Sequence, residues 1–389
     1  MKPPQRQPAP PGTLTAITQR LTGVRRRSIG FPGATDLDFD DLLPLHRELI
    51  NNVGDPHSEG RWRGQTKDVE RDVVATFAAL FGGSARRSWG YVTAGGSTEG
   101  VLHGMWLGTE RFPGARVYFS AAAHYCVAKA ARFLRTDTSR VAVDDGGEML
   151  YDDLAAAVHA HRDRPALVVA TAGTTMTEAV DDIASIHEVL DELGVTERHI
   201  VVDGALAGPA LALDGTAAAR LLGEHGGRGR ADADAVCFSS HKSFATPHVS
   251  GVALTRRDHV QDLTRTVDYL AGTDTTISGS RSGHAAVELW HVLDTVGTDG
   301  LRLRSRRARD VAEHTVARLT AAGWPAWRHP HAWTVVLREP PAALATRWSL
   351  ATSAGWSHIV CAPGVTTTLI DTFVTELVST TRHEDAHSA

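Results

Sequence analysis

Two polar residues stand at the ends of apolar stretches, and their types suit one another. Lys242 closes Ser239-Ser240-His241-Lys242, after the strand-like run Ala233-Asp234-Ala235-Val236-Cys237-Phe238 and before Ala245-Thr246-Pro247, which breaks regular structure. Asp203 follows the apolar run Ile200-Val201-Val202 and is followed by the small residues Gly204-Ala205. Either one alone reads as structural, a solvated amine or a capping carboxylate. Each presented by a strand end, an acid and an amine can face the two ends of one aromatic ring. Pyridoxal phosphate needs this pairing: a lysine to form the Schiff base, and a carboxylate to keep the ring nitrogen protonated so that the ring withdraws electrons.

Three further stretches could belong to such a site. In Tyr91-Val92-Thr93-Ala94-Gly95-Gly96-Ser97-Thr98-Glu99-Gly100, glycines lead into a predicted helix. Gly96 lets the backbone approach a ligand closely, and the first helical N–H groups with the Ser97 and Thr98 hydroxyls make an anion seat. The same composition also serves as an ordinary helix cap. His124 opens the helix after Phe119-Ser120-Ala121-Ala122-Ala123, where an imidazole could lie flat on a planar cofactor or simply cap the helix. Thr171-Ala172-Gly173-Thr174-Thr175 follows an apolar strand with small and hydroxyl residues, as a ligand-touching loop does, while Asp181-Asp182 reads as the cap of the next helix.

The elements that must position these residues alternate. The pattern predicts helices over 36–52 and 67–81, then a helix to Arg111, a strand at Arg116–Ser120, a helix at Tyr125–Arg135, a strand at Arg140–Val143, a helix at Asp152–His161 and a strand at Ala166–Ala170. Such βα alternation implies an α/β fold with a mostly parallel central sheet flanked by helices and with ligands at the carboxyl ends of the strands. At 389 residues the chain exceeds one core, so a large domain and a smaller one are expected. The formal charge of -5 gives no field that would draw nucleic acid or an anionic membrane, and a small zwitterionic partner fits better. Cys126, Cys237 and Cys361 are too few and too scattered for a disulfide framework or a zinc site, which suggests a reducing, cytoplasmic setting. Met1 to Thr35 carries no acid and opens Pro-rich, as a mobile tail does, and Gly226 to Asp232 reads as a solvated loop.

Taken in order, the motifs resemble those of group II, fold-type-I pyridoxal-phosphate amino-acid decarboxylases, most closely the histidine and serine decarboxylase branch. The carrying segments are Ile29-Gly30-Phe31-Pro32, Asn51 to Pro56, Trp89 to Thr93, Thr98-Glu99-Gly100, His124-Tyr125, Gly173-Thr174-Thr175, Asp203 to Leu206, Ser239 to Lys242 and Ile277 to His284. By that resemblance Lys242 holds the cofactor covalently, His124 stacks on its ring, Asp203 meets its nitrogen and Ala205 packs beneath. Gly96, Ser97 and Thr98 form the phosphate turn, with Ser239, His241 and Thr174 as further cofactor contacts. Tyr269 matches a mobile-loop tyrosine that returns a proton to the substrate Cα, and the Ile277 to His284 loop lies near the partner's site in a homodimer with interface sites.

The resemblance also divides the chain into a tail (1–28), an arm (29–66), a large cofactor domain (67–290) and a small C-terminal α+β domain (291–389). It implies decarboxylation of an L-amino acid, histidine first, with serine, aspartate or an unusual amino acid as alternatives. An aminotransferase or lyase would use the same lysine and aspartate, and an inactive homologue would keep only the fold. The sequence departs from the branch in three places. The phosphate turn is one residue longer, which leaves Ser97 and Thr98 both open as ligands; Glu178 stands where the branch has glycine; and Ser240 replaces a glycine before His241-Lys242.

Overall fold

The strands that read as unbroken apolar runs are buried on both faces, as in a sheet covered by helices on either side. The structure, a computed structural model, describes residues 12–215, 222 and 232–388. The Pro-rich opening and nearly all of the Gly226–Asp232 stretch lie outside the described residues. Seven strands form the central sheet: β1 (Ser88–Thr93), β2 (Arg116–Ser120), β3 (Thr138–Val141), β4 (Ala166–Thr171), β5 (Arg198–Asp203), β6 (Ala235–Ser239) and β7 (Gly251–Arg256). Their order is β1-β7-β6-β5-β4-β2-β3. Only β7 runs antiparallel to its neighbours.

Side chains alternate between two cores. Leu167, Val169, Val201, Ala235 and Cys237 face the helices Ser97–Arg111 and Tyr125–Leu134, packing with Val101, Met105, Val127 and Ala130. Val168, Ala170, Ile200, Val202, Val236 and Phe238 face the other way, against Phe77, Leu154, Leu190 and Leu289 from four more helices. The register levels the carboxyl ends of the middle strands, with Thr171 opposite Asp203 and Asp203 opposite Cys237. Lys242 follows three residues after β6, in the helical turn Ser240–Ser243.

Past Gly297, the helix Gly297–Ala321 leads to a four-stranded antiparallel sheet covering 326–360 and the final helix Thr367–Ser388. Ile29 of the arm is fully buried in this second core, and Val360 N–H donates to its carbonyl at 2.7 Å. The helix Gly283–Thr295 runs through residue 291 and buries Ala285, Leu289 and Val292 in the large core, so the chain passes from one unit to the other near Gly297.

One local expectation is corrected. Residues 36–52 form only a 3-10 helix at Asp40–Arg47, because Pro44 lies inside it and cannot donate a backbone hydrogen bond. Within the tail, Thr13–Arg25 is a helix that buries none of its residues.

Several motif segments meet in one buried network. Glu70, fully buried, accepts from Asn52 Nδ2 at 2.9 Å, from Val92 N–H at 2.8 Å and from Arg281. Arg281 also donates to the Gly54 carbonyl at 2.8 Å. Asp55 accepts from Trp89 Nε1 at 3.1 Å and Thr275 Oγ1 at 2.6 Å. These bonds tie the arm, β1 and the Ile277 to His284 loop into one body, and removal of either partner of the Glu70–Arg281 pair would strand a buried charge.

Candidate active site

The levelled strand ends open onto one cavity. Lys242, Asp203, His124, Ala205, Thr171, Gly173 and Thr175 line it from the large unit, and Pro32, His358 and Val360 from the arm and the second sheet. Asp203 is almost wholly buried, and its Oδ1 accepts from Ser97 Oγ at 2.8 Å and from Ala205 N–H at 3.1 Å. Cys126 Sγ lies 4.0 Å from Oδ2. Burial lowers the Lys242 pKa while Asp203 opposes that shift, which favours the neutral, nucleophilic amine. His124 caps its helix through Nδ1, which accepts from Cys126 N–H at 3.4 Å; burial lowers its pKa, favouring a neutral ring.

The glycine turn is held from within. Glu99 Oε2 accepts from Ala94 N–H at 2.9 Å and Gly95 N–H at 2.8 Å. Gly96 sits at φ 64°, and a Cβ there would lie 3.5 Å from both His241 Cε1 and Ser239 Oγ, so these three residues converge on one notch. Ser239 Oγ accepts from Ser97 N–H at 3.2 Å.

Three expected contacts fall elsewhere. The Ser97 hydroxyl is directed at Asp203 rather than into the turn, because the first helical residue looks back at the end of β5 beside Cys237. Thr174 is buried, its Oγ1 accepting from Ala179 N–H at 3.0 Å and pairing with Thr177 Oγ1 at 2.9 Å, while its neighbour Thr175 lines the cavity. Tyr269 lies outside the lining of the cavity, on the turn Asp268–Leu270, with 80% of its surface exposed. Pro32, Thr171, Thr175 and His358 were not singled out as site residues by sequence; only Pro32, Thr171 and Thr175 sit within segments that drew attention.

Glu178 explains its own departure. It occupies φ 58°, a left-handed conformation that favours glycine, and its carboxylate is buried. Oε2 accepts from Trp333 N–H at 3.1 Å, Thr334 N–H at 2.8 Å and Thr334 Oγ1 at 2.6 Å, fastening the two units together. Burial pushes its pKa up to about 7, against the pull of these donors. In an unfolded chain the group ionises near 4.5, so the folded state should lose stability as pH rises from 4.5 to about 7. The loss is on the order of 3 kcal/mol. Urea denaturation across that range should show a flatter stability profile for Glu178→Gln than for the wild type; identical profiles would contradict it.

A cation site elsewhere is already filled. His199, Asp234 and His259 gather their ligand atoms within 4.8 Å of one another. Arg111 Nη1 stands 2.9 Å from His199 Nδ1 and 3.1 Å from both Asp234 Oδ1 and His259 Nδ1, placing a guanidinium where an ion would sit.

The cavity therefore favours an organic group. Buried Thr171 Oγ1, His241 Nδ1 and His358 Nδ1 have no hydrogen-bond partner among the described residues, and a polar ligand would satisfy such atoms. Amine, carboxylate, imidazole and glycine notch together fit pyridoxal phosphate, and this fold with this site defines the class of fold-type-I pyridoxal-phosphate enzymes. The model of the pyridoxal-dependent decarboxylase conserved domain matches residues 112–323. A histidine decarboxylase of Mesorhizobium japonicum is 38% identical over 89% of this chain and 91% of its own. One of Pseudomonas entomophila is 35% identical over 90% and 86%. Among solved structures, L-methionine decarboxylase from Streptomyces sp. 590 superposes with a TM-score of 0.82 at 24% identity, covering 94% of each chain, and shares the fold. The chain belongs to the pyridoxal-dependent decarboxylase family and is a pyridoxal-phosphate-dependent amino-acid decarboxylase.

Proposed function

We propose that the protein converts L-histidine to histamine and carbon dioxide, as a cytoplasmic homodimer. The observation that carries this reading is the meeting of Lys242, Asp203 and His124 in one cavity of a chain that resembles histidine decarboxylases along most of its length. When bound, the cofactor takes up the electron pair left by the departing carboxylate. Lys242 would hold the cofactor covalently, Asp203 would keep a proton on its ring nitrogen, and His124 and Ala205 would flank its ring. Gly96, Ser239 and His241 would seat its phosphate, with Thr98 as the remaining hydroxyl of the turn. Ser97 acts on Asp203 instead, and Thr175 takes the place expected for Thr174. The buried walls exclude water, which favours loss of a charged carboxylate. Carbon dioxide and amine release should be assayed on the holoenzyme against all the standard L-amino acids. Histamine should dominate, and a holoenzyme inert toward L-histidine but active on another substrate would overturn the assignment.

The proton returned to Cα comes from Tyr269 of a second copy. Its exposure, outside the lining of its own cavity, supports action in trans. Leu14, Ile17, Leu21 and Val24 form an exposed apolar stripe at helical spacing, which suits cover by a second chain. Three free buried thiols accord with a reducing compartment. Tyr269→Phe should make little amine, since it removes only the phenolic proton donor. Unfolding and refolding it together with Lys242→Ala should produce hybrids in which one site has both groups. Amine formation that neither parent shows is expected; no recovery by demonstrated hybrid dimers would contradict action across the interface.

A further inference from the structure

The second sheet sends one strand past the cavity, and its side chains alternate. In Trp356–Val360, Ile359 enters the core of the small unit, while His358 and Val360 line the cavity that holds Lys242. His358 is 2% exposed. Its Nε2 lies 3.1 Å from the Gly30 carbonyl oxygen, which can only accept, so Nε2 carries the hydrogen. That leaves Nδ1 as a bare lone pair, buried and without a partner among the described residues. The Gly30 backbone is fixed in turn, since a Cβ on that residue would lie 2.3 Å from the Ser349 carbonyl oxygen. Burial lowers the pKa of His358, which keeps the ring neutral.

A neutral imidazole with a bare acceptor asks for a donor. A substrate carboxylate offers only acceptor oxygens and would meet lone pair with lone pair. The substrate amine is engaged where Lys242 works. What remains is a donor on the substrate side chain, beside the apolar surfaces of Pro32, Leu206 and Val360. We propose that His358 is a specificity-determining residue, whose Nδ1 accepts a hydrogen bond from a side-chain N–H of the substrate. It thereby selects an imidazole over an acidic side chain and over a ring of the same shape without a donor. This rests on the L-histidine reading above and names the group that reads the side chain. A site built around a hydrogen bond rejects an analogue lacking it far more strongly than an apolar pocket does, because the buried partner is left unpaired.

The test compares L-histidine with thienylalanine, whose five-membered ring has no N–H. The holoenzyme and its His358→Leu and His358→Gln variants would be measured for kcat/KM on both substrates, and for histamine affinity by calorimetry. In His358→Leu the preference for L-histidine should fall about tenfold or more, near the worth of one hydrogen bond to a buried acceptor, with a similar loss of histamine affinity. Retention of the bound cofactor's visible absorbance would show that the cofactor site is intact. His358→Gln should recover much of the preference, since its amide can donate to Gly30 and present an oxygen to the cavity. If His358→Leu does not fold, His358→Met supplies the same deletion of the acceptor with a flexible side chain. A preference and a histamine affinity both unchanged by deletion of the acceptor overturn the inference and leave the decarboxylation of L-histidine standing. A wild-type holoenzyme active on acidic amino acids and not on L-histidine overturns the substrate reading itself, and this inference with it.

Discussion

Lys242→Ala should abolish turnover, with amine formation falling by several orders of magnitude, and the purified protein should lose the visible absorbance of covalently held cofactor. Lys242 lies three residues beyond β6, in a turn whose strand is registered against the one that carries Asp203, so its amine enters the same cavity as the carboxylate. No other residue type there can form the covalent link that a lysine forms with a carbonyl cofactor. The fold should survive the change. Burial lowers the Lys242 pKa, the mark of a cation held at an energetic cost, so the variant's thermal midpoint should match or exceed that of the cofactor-free wild type. Turnover at wild-type rates in Lys242→Ala would refute the assignment of this residue.

Asp203→Asn should keep cofactor binding and lose rate. The amide retains an oxygen to accept from Ser97 Oγ and Ala205 N–H, so the local frame persists, but it no longer supplies the negative charge that holds a proton on the ring nitrogen. Loss of one preorganised electrostatic group typically costs about 10²–10³ in kcat. A fall of that size or larger is expected for the variant saturated with pyridoxal phosphate, measured as histamine formed per unit of bound cofactor. A variant that keeps most of the wild-type kcat would show that Asp203 does not control the ring.

The parts that were legible in the sequence are those in which composition and geometry have one solution. Apolar runs such as Ile200–Val202 and Ala235–Phe238 read as strands covered on both faces, and an aspartate just past the first and a lysine just past the second then share a crevice at the carboxyl ends of the sheet. Where local chemistry allows two outcomes, the sequence was silent. Ser97 can turn its hydroxyl to the phosphate notch or to Asp203, and the packing of the helix against β5 and β6 decides for Asp203. Thr174 and Thr175 are the same residue type one place apart, and only the bond from Ala179 N–H shows which of them is spent inside its own turn. The apolar residues of 36–52 suggested a helix, but Pro44 limits the segment to a 3-10 turn. Glu178 stands in the sequence only as a charge where the resembling branch has glycine; on its left-handed backbone it is drawn inside by the donors of Trp333 and Thr334, which come from a distant part of the chain. His358 lay hidden in a run that reads as an ordinary buried strand, because nothing in Trp356–Val360 tells which alternate residues face the second core and which face the cavity.

The chain's lysines are Lys2, Lys67, Lys129 and Lys242, a set small enough for one chemical experiment to separate them. Lys67 is buried with its Nζ donating to the Ser58 carbonyl at 2.6 Å, and Lys129 is exposed on the helix Tyr125–Leu134. Borohydride reduction of the holoenzyme fixes the cofactor to whichever lysine carries it, and peptide mass mapping then reads the position. A stoichiometric pyridoxyl group is expected on Lys242, with substrate amine protecting that lysine by displacing it. Stoichiometric labelling of Lys67 or Lys129, with Lys242 unmodified, would contradict the central claim.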